Sequence, residues 1–144
     1  MGTWSAISLL LAIWVSPGVQ LRKAVPVHLM FDRLLTSKAG RLQLSEEVSK
    51  LDGKWVQAAG FMVQMENPSK GGFWLAAQSI HVDESGAGIG DLPPNAIFVR
   101  VAGAGDKPVA FLGGKLLVVG KLRLSNTFPK ITIQLQSEMA GGRR

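Results

Sequence analysis

From Lys54 onward, apolar side chains recur at every second position in five short runs, with Gly, Pro and Asn in the gaps between them. A period of two is the mark of strands, whose successive side chains point to opposite faces. In the first run Trp55, Gln57, Ala59, Phe61, Val63 and Met65 alternate with Val56, Ala58, Gly60, Met62 and Gln64. Both sets are largely apolar, which predicts a long and strongly bent strand, with Gly60 permitting the bend. Residues 66–72 read as a hairpin loop. A second strand is expected over 73–80, a third over 96–101, a fourth over 115–124 and a fifth over 130–136. Leu116, Val118, Leu122 and Leu124 share one side of the fourth, and Ile131, Ile133 and Leu135 alternate with polar residues in the fifth. The short segment 125–129 joins these two as a hairpin.

Five short strands, the first long and kinked at Gly, predict an all-β protein: a small five-stranded OB-like barrel over 54–137, behind an N-terminal helical segment over 21–53. Closure removes the edges that an open sheet of this size exposes. The helix usual between the third and fourth OB strands is not expected, because residues 102–114 hold Gly103, Gly105, Pro108, Gly113 and Gly114. In the N-terminal segment, Leu29, Met30, Phe31, Leu34 and Leu35 follow a helical pattern. Ser45 followed by Glu46 and Glu47 reads as a capped helix start, with acids where the helix dipole favours them. Residues 51–54 form the turn that stops it. Residues 138–144 read as a flexible tail.

The first 18 residues carry no charged side chain, and an apolar run centred on Leu9 to Val15 ends at Ser16-Pro17-Gly18. Twelve helical residues span roughly 18 Å, short of a bilayer core of about 30 Å. Residues 1–20 therefore read as a signal peptide cut near Gly18 or Gln20, and the protein is expected to be periplasmic or secreted, with no transmembrane span after cleavage. The chain has no Cys, which excludes disulfides, a zinc knuckle and a Cys nucleophile. Its 16 basic and 10 acidic residues all lie after residue 18 and leave a net charge of +6, which favours anionic partners.

Three pieces in a fixed order carry a family resemblance over residues 51–122, half of the 144-residue chain. The first is Leu51-Asp52-Gly53-Lys54-Trp55-Val56 with Gly60-Phe61-Met62-Val63. The second is Phe73-Trp74-Leu75 with Ser79-Ile80-His81-Val82. The third is Leu92-Pro93-Pro94-Asn95 with Ile97-Phe98-Val99. Together they resemble an exported bacterial family known as domain of unknown function 3299. The chain departs from the family pattern at Ser79, where the family has Cys, at Gln64, where it has Pro, and in residues 83–91, which the family largely lacks. The family has no established reaction, so the resemblance implies export and fold rather than chemistry.

Two side-chain groups are candidate sites. His81, Asp83, Glu84 and Asp91 gather around one loop and could hold a divalent metal such as zinc or manganese, although Gly86, Gly88 and Gly90 loosen that loop and the spacing matches no recognised metal motif. Solvated loop residues are the plainer reading. Lys115, Lys121, Arg123 and Lys130 fall on the polar side of the last hairpin, where they could track an anion. Trp55, Phe73, Trp74 or Phe98 could stack bases beside them, as in OB proteins. A soluble barrel's charged exterior is the plainer reading here too. Ser79 and His81 lie two apart but lack a nucleophile elbow, an orienting acid and an oxyanion hole. Neither Gly-rich stretch, 86–90 nor 103–107, matches a phosphate-binding loop.

These observations predict an exported, non-enzymatic β-barrel protein of the bacterial envelope. It is expected to be a binding or accessory module without a cofactor, whose partner is an envelope protein or an anionic envelope component. The alternatives are an OB-type nucleic-acid-binding protein, a reading that export disfavours, and a weak metal-binding exported protein.

Overall fold

The computed structural model describes residues 25–82 and 92–135. The expected signal peptide (1–20), the expected tail (138–144) and the acids Asp83, Glu84 and Asp91 lie outside the described residues. The elements in chain order are β1 (Val27–His28), a 3-10 turn (Phe31–Arg33), β2 (Leu35–Lys38), β3 (Arg41–Leu44), α1 (Glu46–Ser49), β4 (Trp55–Met62), β5 (Gln64–Met65), β6 (Gly72–Ala76), β7 (His81–Val82), β8 (Ile97–Arg100), β9 (Lys115–Leu124) and β10 (Ile131–Gln134).

Five strands close a barrel in the order β4-β6-β8-β10-β9 and back to β4. Neighbours are antiparallel except β8 and β10, which run parallel. The expected OB-like barrel is therefore present. Its longest seam joins β4 to β9 in seven consecutive pairs from Trp55↔Lys121 to Phe61↔Lys115. No helix interrupts the path from β8 to β9. Instead the chain turns at Gly103 and Gly105, both at positive φ, and bridges Lys70 to Pro108.

The strand alternation sorts side chains as a closed barrel requires. Val56, Ala58, Leu75, Ile97, Val99, Val118, Leu122, Ile131 and Ile133 fill the interior. Gly60 belongs to this inner set, and close contact calls for glycine there. Its φ is not positive, but a Cβ there would lie 2.5 Å from the Ala76 carbonyl oxygen and 3.1 Å from Phe31 Cε2. Glycine is demanded by the approach of a neighbouring backbone.

A second apolar cluster lies outside the barrel wall. Trp74, Ala76, Ala96 and Phe98 point outward from β6 and β8 and are buried with Val63 and Val82. Both faces of β6 and β8 are thus covered, and their sequences are apolar at nearly every position. The expected second strand shortens to β6 because the chain leaves the barrel after Ala76 and returns as β7 to pair, parallel, with β5.

The helical expectation for the N-terminal segment is corrected. Val27 and His28 extend along β4, Leu29 N–H donates to the Gln57 carbonyl at 2.8 Å, and a single 3-10 turn then drops Leu34 into the core. Residues 35–44 form a β-hairpin. Tertiary hydrogen bonds to β4 outweigh a helical pattern of only nine residues, since short helices draw their stability mainly from packing. The one α-helix among the described residues, α1, begins where expected: Ser45 Oγ accepts from Val48 N–H at 3.1 Å. The turn after it also holds, with Gly53 at φ +82°.

Candidate anion-binding face

The exterior of the barrel can be read strand by strand from the pairing. On β9 the inner set is Leu116, Val118, Gly120, Leu122 and Leu124, so Lys115, Leu117, Val119, Lys121 and Arg123 point outward. Lys130 immediately precedes the inward Ile131 and points outward as well. The four candidate cations therefore share the outer surface, but they do not form one cluster. Lys121 and Arg123 are about 7 Å apart along the strand, while Lys115 lies about 20 Å from Lys121 at roughly 3.3 Å per residue.

The pairing adds a cation that the sequence reading missed. Lys121 faces Gln134, and Gln134 faces Arg100 on β8, so one row crosses three strands. Two strand spacings put Arg100 about 10 Å from Lys121. The next row runs Arg123, Thr132, Phe98 and Trp74. Arg100 closes strand β8, and only the parallel β8–β10 pairing reveals which side chains it joins. A sequence carries no signal for a crossover of that kind. Arg100 also lies over the Phe98 ring, its Cζ 5.8 Å from the centroid.

Among the described residues, the one ion pair is Arg33 with Glu47, 3.8 Å apart on the surface of the N-terminal segment. Arg100, Lys121, Arg123 and Lys130 thus have no carboxylate partner among the described residues. The outward positions of β4, β8, β9 and β10 hold no Asp or Glu. A patch of one sign with polar Thr132 and Gln134 between its cations can hold an anion by charge and by hydrogen bonds together.

The expected stacking residues are placed otherwise. Trp74 and Phe98 are 5 % and 7 % exposed and pack edge to face with centroids 5.1 Å apart. Phe73 packs against the barrel interior. Only Trp55 keeps a half-exposed outward position, opposite Lys121. The aromatic with most free surface is one that the sequence reading had placed in a hairpin: Phe128, 61 % exposed and stacked on Trp74 at 5.2 Å. With Leu35, Pro93, Pro94, Ala96 and Lys130, it walls a shallow groove of about 220 Å³.

His81 is exposed on β7, paired with Gln64. Its three expected partner acids lie outside the described residues, and among the described residues no three His, Asp or Glu side chains come together. Ser79 is exposed and precedes β7 rather than sharing a strand with His81, so the two do not project from one sheet face.

No family model matches this sequence, and no curated protein is similar to it. A crystal structure of a DUF3299 family protein from Pseudomonas aeruginosa PAO1 is similar to this chain, with a TM-score of 0.47 and 16% identity over 77% of this chain and 93% of the other. The fold assignment itself stands on the strand pairing above. The strand pairing makes the chain an OB-like β-barrel, and the motifs of residues 51–122 resemble DUF3299.

Proposed function

We propose that this chain is a non-enzymatic binding module of the bacterial envelope, exported through its N-terminal segment, and that its barrel exterior takes an anionic envelope component. One observation carries the reading: Arg100 on β8 and Lys121 and Arg123 on β9 flank β10 on one outer face, exposed or half-exposed, and none of them is in an ion pair among the described residues. Cations carried on paired strands have their backbone positions fixed before an anion arrives, which lowers the ordering cost of binding, and their shared sign steers the anion to them.

The test is the salt dependence of binding to an acidic polysaccharide, anionic vesicles and an oligonucleotide. The native chain is expected to bind the polysaccharide or the vesicles at low salt, with affinity falling as salt rises. Replacing Lys121, Arg123 and Lys130 together by Gln should flatten that dependence. No binding to any of the three at low salt would show the cations to be solvation alone.

The nucleic-acid alternative draws support from Phe128, whose exposed ring beside Lys130 offers one stacking surface. It loses Phe73, Trp74 and Phe98, which are committed to the two cores. Preference for the oligonucleotide over the polysaccharide, abolished by Phe128→Ala, would select it.

A further inference from the structure

The wall formed by β4 and β9 has an outer surface that a water-facing barrel does not call for. Its outward residues are Trp55, Gln57, Ala59 and Phe61 on β4 and Lys115, Leu117, Val119, Lys121 and Arg123 on β9. The register sets Ala59 beside Leu117 and Phe61 beside Lys115. Between the lysines, Gln57 is the one polar side chain. Leu117 is 62 % exposed; the segment leading into β9 carries Leu112 and Phe111, 55 % and 46 % exposed, before the wall begins, and Phe111 lines a cavity with Met62 and Phe73. That segment is held in place by the Leu112 N–H, which donates to Met62 Sδ at 3.3 Å. By contrast, the outward Trp74, Ala76 and Phe98 of β6 and β8 are sealed in the second core.

Three features decide what could cover this surface. It is the wall of a closed barrel: β4 and β9 are paired to each other and to their neighbours, so they offer little free edge for a partner strand. Leu117 and Val119 lie on the barrel's convex exterior, which suits a broad layer better than an inserted helix or side chain. Cations bound it at both ends, with Lys115 beside Phe61, Lys121 beside Trp55, and Arg123 beyond. Apolar side chains with an indole among them and cations at the margin match the boundary of an anionic bilayer, where headgroups carry the charge and acyl chains begin a few ångströms below.

We infer that the β4–β9 wall docks on an anionic lipid surface, with Leu117 and Val119 entering the interface and Lys115 and Lys121 meeting lipid phosphates. The inference rests on the anionic-partner reading and names the partner as lipid.

Vesicle flotation with the full chain tests it. The native chain should bind vesicles of phosphatidylglycerol and phosphatidylcholine, and bind pure phosphatidylcholine much less. The variant Leu117→Glu changes only an exposed position of the wall, so its circular dichroism and melting should match the native chain. It should bind the anionic vesicles at least roughly tenfold more weakly while keeping its affinity for a soluble acidic polysaccharide. Native affinity of that variant for the vesicles would overturn the inference. Failure of the native chain to bind vesicles while it binds the polysaccharide would also overturn it and leave the anionic-partner reading standing. Failure to bind either would remove both.

Discussion

Ile133 shows how far a single position can be read from sequence alone. It alternates with Thr132 and Gln134, so it faces inward in any half-buried strand, and in the fold it is fully buried between Leu122 on β9 and Val99 on β8. Ile133→Asp buries an unpaired charge and should cost about 4 kcal/mol, measured by urea unfolding; an unchanged midpoint would refute the inward placement. The glycines were legible as exceptions but not in their cause. Gly60 and Gly120 both lie on the inner face, and a Cβ at Gly120 would meet the carbonyl oxygen of Gln134. Gly53 has open space around it and is glycine because of its φ of +82°. Gly60→Ala and Gly120→Ala should therefore each cost about 1–3 kcal/mol, because a strand backbone must move. Gly53→Ala should cost about 1 kcal/mol, for the left-handed dihedral alone. Equal losses at the three sites would mean that conformation, not contact, governs them all. Trp74 marks the limit of such reading. Phe73 and Trp74 are adjacent and both aromatic, and only the second core shows that one faces inward and the other out.

Among the elements, β9 and β10 were legible because each obeys a single constraint, burial on one face. The segment from Val27 to Leu44 was not, because its residues answer to partners far along the chain. Val27 pairs with Val56, and the Phe31 carbonyl accepts from Asn95 Nδ2 at 3.0 Å. Local periodicity cannot report a hydrogen bond across 64 residues. Helix α1 is the exception, since its signal is local. Ser45 caps it through Val48 N–H and also donates from Oγ to the Arg33 carbonyl at 2.8 Å, which ties the helix start to the end of the 3-10 turn. Ser45→Ala removes both bonds. It should lower stability by about 1–2 kcal/mol, at the upper end for a cap because a second acceptor is left without its donor. Ser45→Asp would keep the cap but not the donor, so it should recover part of the loss; a variant as unstable as Ser45→Ala would place the whole effect on the bond to Arg33.

At the scale of the whole molecule, closure divides the exterior into sectors with different surroundings. The outward Trp74, Ala76 and Phe98 of β6 and β8 are sealed in a second core, the wall of β4 and β9 is largely apolar and open, and the row from β9 across β10 to the exposed Arg100 at the end of β8 is cationic. The sequence held the four cations of the candidate site but not their grouping, because Arg100 joins them only through the parallel pairing and Lys115 leaves them only through strand length. This geometry separates two kinds of anion. A short anionic oligomer, spanning well under 20 Å, can reach Arg100, Lys121 and Arg123 but cannot also reach Lys115, given about 3.3 Å per strand residue. Arg100→Gln should therefore reduce the salt dependence of oligomer binding by about one released counterion, and Lys115→Gln should leave it unchanged. A bilayer has no such length limit and meets the β4–β9 wall, where Lys115 sits beside Phe61 and Arg100 is two strands away. For anionic vesicles the order should reverse, with Lys115→Gln weakening binding more than Arg100→Gln, by about 1 kcal/mol for the lost charge at the lipid surface. Titrating the two variants against both ligands over a range of salt reads the contrast directly. Identical responses to oligomer and vesicle would mean that the barrel presents one undifferentiated basic surface, and the division into sectors would carry no function.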